Sequence, residues 1–284
     1  MRTREIKLIL KSKPVIEGAG VHLHRAIGHS ELPKFDPFLL FDDFSSGDPS
    51  DFIKGFPWHP HRGIETITYL LGGKIEHGDS LGNSGVISEG DVQWMTAGSG
   101  IIHQEMPVAE KDSILTGFQI WLNLPASHKM TVPRYQSILS YEIPEIILDN
   151  CSRVKLISGS FHNLKGPVEE NTTKAEYLDV KVPVNSEFIY PAKPGFTVFV
   201  YVIEGEGYFS PEHLDPAGKG TILLYDDGDK VIIHTKDKPV RFLLLSGKPL
   251  GEPIAWYGPI VMNTDDEIEK AFDEYKKGTF IKHK

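Results

Sequence analysis

The chain alternates short apolar runs with turns that contain glycine or proline along most of its length. Dipeptides such as Gly72-Gly73 and Gly82-Asn83 separate these runs, a pattern typical of an all-β sandwich or barrel. We predict strands at residues 65–71, 86–88, 92–95, 117–123, 176–182, 197–203, 220–225, 231–234 and 240–246. Helical periodicity is sparse before the C-terminal end.

One helix is predicted near the C-terminus. Thr264 and Glu267 form a capping box, and acidic residues fill the first turn. Gly278 suits the position just after the helix ends. Apolar residues recur at helical spacing between these signals: Ile268, Ala271, Phe272 and Tyr275. Because one face alone is apolar, we expect this helix to pack against the sheets rather than to bind a partner.

The two halves of the chain resemble each other. Residues 66–73 match residues 198–205 in their apolar pattern, and each half also contains a glycine followed by Ile-Ile-His, ending at His103 and at His234. We therefore predict a duplicated β-barrel, with a first domain at residues 1–134 and a second at residues 135–284 that ends in the helix. A proline-flanked polar stretch at residues 124–135 is the predicted linker.

Two pairs of metal-ligating side chains stand out against this background. His59 and His61 flank Pro60, and His103 and Glu105 flank Gln104. A strand directs residues i and i+2 to the same face, so neighbouring strands could aim all four side chains at one point. Proline favours a strand entrance or edge for the first pair. A metal ion would satisfy all four side chains, which are costly to bury without partners.

Three imidazoles and one carboxylate are borderline ligands, which suit Fe, Zn, Ni, Cu, Co or Mn. Four protein ligands complete a tetrahedral zinc site, whereas an octahedral ion keeps two open positions for a substrate or dioxygen. Fe(II) is therefore our first choice of cofactor if the site is catalytic.

Other residues near these pairs have alternative interpretations. Glu65 lies four positions after His61 and could supply the carboxylate, but it begins a strongly apolar strand and ranks below Glu105. His77 is assigned to a surface loop because a turn follows it. Gln119 either lines the cavity or faces a neighbouring strand. His234 lacks companion ligands, so we expect the second barrel to bind no metal. Aromatic and sulfur-containing side chains form either the pocket wall or core: Phe56, Trp58, Trp94 and Met95.

Composition narrows the functional classes. The 284-residue chain has a formal charge of −9, which argues against direct nucleic-acid binding. Cys151 is the single cysteine, so an internal disulfide or a thiolate metal cluster is excluded. Residues 1–13 lack the features of a secretory signal, and no apolar run is long enough to span a membrane. We therefore expect a cytoplasmic protein, with access to the nucleus in a eukaryote.

The residues around the ligand pairs resemble the signature of the pirin family, within the cupin superfamily. The similar stretches are HPHRGIET at 59–66, GDVQWMTAGSGIIHQEMP at 90–107, FDPFLLFDDF at 35–44 and LSGKPLGEP at 245–253. The resemblance implies two tandem cupin (jelly-roll) β-barrels, with a metal in the N-terminal one. It also implies His59, His61, His103 and Glu105 as ligands, whereas the general cupin pattern would use Glu65.

The resemblance further implies two functions. One is an iron-dependent quercetin 2,3-dioxygenase that acts on a flavonol-like aromatic substrate. For this function we hypothesise that Glu105 is both a ligand and the catalytic base, which takes the substrate proton. The alternative is a redox-responsive iron protein that regulates transcription or metabolism through protein partners, without turnover. The acidic charge suits protein partners rather than naked DNA. The sequence does not select between these two functions.

Overall fold

The computed structural model describes residues 2–109, 114–169, 171–212 and 215–283. The strands of the first half are β1 (Ile6–Lys11), β2 (Lys13–Glu17), β3 (Val21–Ile27), β4 (Phe38–Asp43), β5 (Phe56–His61), β6 (Ile64–Gly72), β7 (Ile75–Asp79), β8 (Ser84–Ile87), β9 (Val92–Thr96), β10 (Ile101–Pro107), β11 (Thr116–Asn123) and β12 (Arg134–Ile138). Short 3-10 helices lie at His29–Glu31, Pro49–Asp51, Ala126–His128 and Ser140–Glu142.

The second half is also built mainly from strands. They are β13 (Glu145–Ile147), β14 (Arg153–Ser158), β15 (Ser160–Phe161), β16 (Leu164–Lys165), β17 (Glu176–Val182), β18 (Glu187–Pro191), β19 (Thr197–Gly207), β20 (Ala217–Gly218), β21 (Thr221–Tyr225), β22 (Lys230–His234), β23 (Val240–Gly247), β24 (Ala255–Tyr257) and β25 (Ile260–Met262). The helix α1 (Asp265–Lys276) follows. Each of the nine predicted strands overlaps an observed one, and the predicted fold class, all-β with a C-terminal helix, is confirmed.

Contacts between Cα atoms divide the chain into two compact units that are not continuous in sequence. One unit consists of Met1–Ser12, Phe35–Pro37 and Tyr141–Pro249, and the other of Lys13–Lys34, Phe38–Ser140 and Leu250–Lys284. We call them the 141–249 unit and the 38–140 unit. This division differs from the continuous boundary after residue 134 expected from the sequence, because β1 pairs with β21 and the C-terminal residues join the 38–140 unit.

The 38–140 unit contains two main sheets. A seven-stranded sheet has the order β12-β9-β6-β11-β4-β3-β2, and a four-stranded sheet has the order β5-β10-β7-β8. The predicted linker at residues 124–135 lies inside this unit, because β12 pairs with β9 and Lys129 is buried. The four-stranded sheet carries both predicted ligand pairs, so its register decides the geometry of the site.

The 141–249 unit has an eight-stranded main sheet with β17, β23 and β19 at its centre. Its apolar core includes Leu178, Val200 and Leu244, one from each of these strands. His234, which occupies the position that echoes His103, stacks on Tyr208 with ring centroids 4.9 Å apart. Among the described residues, no helix is both long and apolar enough to cross a membrane.

The helix α1 begins and ends as predicted. Thr264 caps it by accepting a hydrogen bond from the Glu267 backbone N–H at 3.3 Å, and the Glu267 carboxylate accepts one from the Thr264 N–H at 3.0 Å. Ile268 and Ala271 are buried on its inner face. Gly278 follows the end of the helix with a φ of +70°, the left-handed conformation that favours glycine there.

Candidate metal centre

The strand β5 places His59 and His61 at the border of the four-stranded sheet. It is the outermost strand of that sheet, where proline is tolerated because fewer backbone donors are needed. Its neighbour β10 buries alternate residues, and His103 and Glu105 are both on the buried side. His103 lies directly opposite His59 in the register. Strand alternation and pairing together therefore gather the three histidines.

The three imidazole rings form a tight cluster. Ring centroids lie 4.4 Å apart for His59 and His103, 4.8 Å for His59 and His61, and 5.1 Å for His61 and His103. Their candidate ligand atoms all fall within 4.8 Å of one another. In the described part of the chain, this is the one such group of three or more His, Cys, Asp or Glu residues.

Backbone carbonyl groups fix the tautomers of two of these rings. The Nδ1 atom of His59 lies 2.9 Å from the Pro57 carbonyl oxygen, and Nδ1 of His61 lies 3.0 Å from the Pro259 carbonyl oxygen. A carbonyl oxygen can only accept, so each Nδ1 carries the proton and donates it. Each Nε2 atom then carries a lone pair and no proton, and the two Nε2 atoms face each other at 3.1 Å.

Facing lone pairs repel each other unless a cation lies between them. Two ligands at right angles, each about 2.1 Å from one ion, are about 3.0 Å apart, close to the observed separation of the two Nε2 atoms. His103 points to the same conclusion, because it is 1% exposed and neither of its ring nitrogens has a hydrogen-bond partner. Burial lowers the pKa of all three histidines, which keeps them in the neutral form that binds metals. The donor set therefore fits a divalent metal ion.

Glu105 lies beside this cluster but outside the three-histidine group. Its Oε1 atom accepts a hydrogen bond from Thr68 Oγ1 at 3.0 Å, and Gln119 Oε1 lies equally close to the same hydroxyl. Burial raises the pKa of Glu105 to about 7, and the Thr68 hydrogen bond opposes that rise. Gln119 and Glu105 both line the same cavity as His59 and His61. Of the two interpretations of Gln119, the one in which it lines the cavity is therefore correct.

Glu65 points away from this cavity. Its neighbour Thr66 pairs with the cavity-lining Trp121, and successive residues of a strand face opposite sides of the sheet. Its Oε1 atom accepts a hydrogen bond from Thr96 Oγ1 at 2.7 Å, and its side chain is not among those that line the cavity.

The expectation that His77 lies in a surface loop is wrong. It lies on β7, half-buried, directly opposite Glu105 and stacked on Tyr135 with ring centroids 5.7 Å apart. The turn seen in the sequence begins only at Asp79, whose Oδ1 atom accepts from the backbone N–H groups of Leu81 and Asn83. The strand was missed because its five residues include a glycine and three polar side chains.

A cavity of about 800 Å³ opens in front of the histidines. Trp121 forms its wall next to His61, with ring centroids 5.0 Å apart, and Trp256 stands 5.7 Å from Trp121. Phe56 also lines the cavity. The other candidates for the wall lie elsewhere: Trp94 and Met95 are buried in the core, and Trp58 is exposed. Sequence reasoning missed Trp256 because it lies far along the chain from the ligand pairs.

Family profiles match both halves of the chain. The profile described as Pirin matches residues 20–122, and the Pirin C-terminal cupin domain matches residues 177–281. A pirin-like protein from Caulobacter vibrioides is 41% identical over 281 residues, covering 99% of this chain and 100% of that protein. Pirin from Homo sapiens is 40% identical over 280 residues, covering 96% and 93%. A crystal structure of quercetin 2,3-dioxygenase from Acinetobacter baumannii aligns with a TM-score of 0.90 and 31% identity, covering 98% and 99%.

We predict that His103→Ala removes metal-dependent stabilisation. An ion held at about one hundred times its dissociation constant stabilises the folded protein by about 2.7 kcal/mol, which raises the midpoint of thermal unfolding by several degrees. Thermal unfolding of metal-stripped protein with and without Co²⁺ measures this rise. His234→Ala is the matched control, since that histidine stacks on Tyr208 in the 141–249 unit. An unchanged Co²⁺ shift in His103→Ala would contradict the assignment.

Proposed function

The chain belongs to the pirin family of two-domain cupin proteins, and we propose that it is a metal-dependent dioxygenase that acts on a flavonol such as quercetin. The observation that carries this proposal is the histidine cluster, of which His59 and His61 line an aromatic cavity together with the buried carboxylate of Glu105. The likeness to a quercetin 2,3-dioxygenase structure over 98% of the chain supports it.

His59, His61, His103 and Glu105 would hold the ion in this proposal. Fe(II) is our choice, although Zn, Ni, Cu, Co and Mn suit the same donors. When bound, Fe(II) supplies Lewis-acid polarisation of a substrate hydroxyl and one-electron chemistry with dioxygen. The protein's own contribution is to orient the substrate, exclude water and move one proton.

The cavity suits a planar aromatic ligand. Its volume of about 800 Å³ is within the range of about 300–1,000 Å³ that is usual for small-molecule sites. Leu40, Phe56 and Trp121 supply apolar walls, and Gln119 adds a polar group at the side of Glu105. Apolar walls keep water away from the reacting oxygen atoms, while a single amide fixes the orientation of the ring system.

Glu105 is the group that would accept the substrate proton. A base works best when its pKa lies near the working pH, and in the metal-free protein burial raises the pKa of Glu105 to about 7. The proton would pass from the flavonol 3-hydroxyl oxygen to a carboxylate oxygen of Glu105. The Thr68 hydroxyl, which donates to Oε1 at 3.0 Å, holds that carboxylate in one orientation before the transfer.

We expect iron-loaded protein to consume dioxygen and release carbon monoxide when incubated with quercetin. Glu105→Gln should lower kcat at least about 10²-fold, because it removes the base. Metal content is measured for each variant, and rates are expressed per bound ion so that loss of a ligand is separated from loss of the base. Glu65→Gln is the control, since Glu65 does not line the cavity.

Absence of carbon monoxide from iron-loaded protein would reject the dioxygenase hypothesis. It would leave the alternative, in which the same ion reports redox state to a protein partner. That alternative requires partner binding that differs between the Fe(II), Fe(III) and metal-free forms, which a pull-down from cell extract with each form compares.

Metal affinity should fall as the pH drops below about 7. In the metal-free protein the pKa of Glu105 is about 7, so below that pH a proton competes with the ion for the carboxylate. The pKa values of the histidines are lowered by burial, so these side chains compete only at lower pH. Competition titration of Co²⁺ should show about a tenfold loss of affinity for each pH unit below the pKa. Glu105→Gln should flatten this dependence, and a slope that the variant retains would exclude Glu105 as the titrating ligand.

A further inference from the structure

The turn that follows His61 is hydrogen-bonded to residues 255–281, which we call the C-terminal clasp. His61 donates from Nδ1 to the Pro259 carbonyl oxygen at 3.0 Å. The next residue, Arg62, accepts a hydrogen bond at its backbone oxygen from the Val261 N–H at 3.1 Å. The clasp therefore orients the ring of a proposed metal ligand that lies almost two hundred positions earlier, since the His61–Pro259 bond spans 198 residues.

Arg62 fixes the outer side of the same turn. It is 2% exposed, and its guanidinium donates to the Ser99 carbonyl at 2.7 Å, to Glu274 Oε2 at 2.8 Å and to the Phe280 carbonyl at 2.9 Å. The guanidinium carbon also lies 4.3 Å from the centre of the Phe280 ring. Removing the charge of one partner from a buried ion pair is strongly destabilising, because the other charge remains without compensation. Glu274 therefore compensates the buried charge of Arg62 and so holds the clasp against the turn.

Lys129 bridges the turn and the clasp. Its ammonium group donates to the Gly63 carbonyl at 3.0 Å, to Asn123 Oδ1 at 2.7 Å and to the Val261 carbonyl at 3.0 Å, so all three of its protons are used. Gly63 has a φ of +79°, and a Cβ atom there would lie 1.9 Å from the Val261 carbonyl oxygen. The backbone of the ligand turn and that of the clasp are therefore in direct contact.

We propose that the C-terminal clasp and the metal centre are energetically coupled, with Glu274 and Arg62 as positioning residues for His61. If the clasp lifts, His61 loses the acceptor that fixes its tautomer and ring orientation. Loss of such an outer partner costs about 10- to 100-fold in metal affinity in well-studied sites. Coupling of binding equilibria is reciprocal, so the ion also stabilises the docked clasp. The inference rests on the proposed metal ligands and not on turnover of any substrate.

Co²⁺ alone is the probe for the first test. Glu274→Gln should weaken Co²⁺ binding about tenfold, the lower end of the range for lost outer partners, and should change the visible spectrum of the bound ion. Asp273→Asn is the matched control: it makes the same charge change one residue earlier, at an exposed pair with Lys277 in which the atoms are 2.7 Å apart. Its Co²⁺ affinity and spectrum should match those of the wild type. Equal affinities in the two variants would overturn the coupling.

Hydrogen exchange on the wild-type protein tests the reverse direction, with His103→Ala as a control that does not bind the ion. Co²⁺ should slow amide exchange at residues 260–263 and in α1, and His103→Ala should abolish that effect. Exchange that Co²⁺ leaves unchanged, although the ion binds, would overturn the clasp and leave the metal site intact. Failure of the wild-type protein to bind Co²⁺ would instead reject the metal site and the clasp's role together. Neither the Co²⁺ titration nor the hydrogen-exchange measurement involves quercetin turnover, so both are independent of the dioxygenase proposal.

Discussion

The geometry of the site depends on two imidazole lone pairs held face to face. The Nε2 atoms of His59 and His61 are 3.1 Å apart, and neither can turn away without breaking the bond from its Nδ1 atom to a backbone carbonyl. Folding therefore brings together two acceptors with no proton between them. A buried polar group without a partner costs about 1–3 kcal/mol, and His103 adds two more such atoms. A cation bound between the rings would remove the repulsion between the two Nε2 atoms and would give one of the two His103 nitrogens a partner.

Strand alternation explains which of two buried carboxylates lies beside the histidines. Glu105 lines the cavity and accepts a hydrogen bond from Thr68, which pairs with the cavity-lining Gln119, while Glu65 lies on the opposite face of β6 and is bonded to Thr96. Both glutamates are buried, so burial alone cannot distinguish them. Strand alternation does, since Glu65 and Thr68 are three positions apart on β6 and therefore face opposite sides of the sheet. Four residues after His61 is a same-face spacing only along one continuous strand, and β5 ends at His61 before β6 begins.

Local sequence patterns predicted nine of the strands, the helix α1 and the clustering of three histidines. Alternation within β10 and the i, i+2 spacing in β5 placed His59, His61 and His103 correctly in one cluster, and the capping box located α1. Longer-range features could not be predicted in this way. The position of His77 opposite Glu105 depends on the register of β7 with β10, and no periodic pattern in that short strand indicates it.

The contact between the clasp and His61 could not be predicted from a local sequence pattern. Pro259 acts through its backbone oxygen, which every residue type carries, so its side chain gives no signal of the role. Trp256 precedes it in the same short hairpin and stands beside Trp121 in the cavity wall. A displacement of this hairpin would therefore change the cavity wall and the orientation of His61 together. The shape of the cavity and the geometry of the histidine cluster are linked in this fold through one segment of backbone.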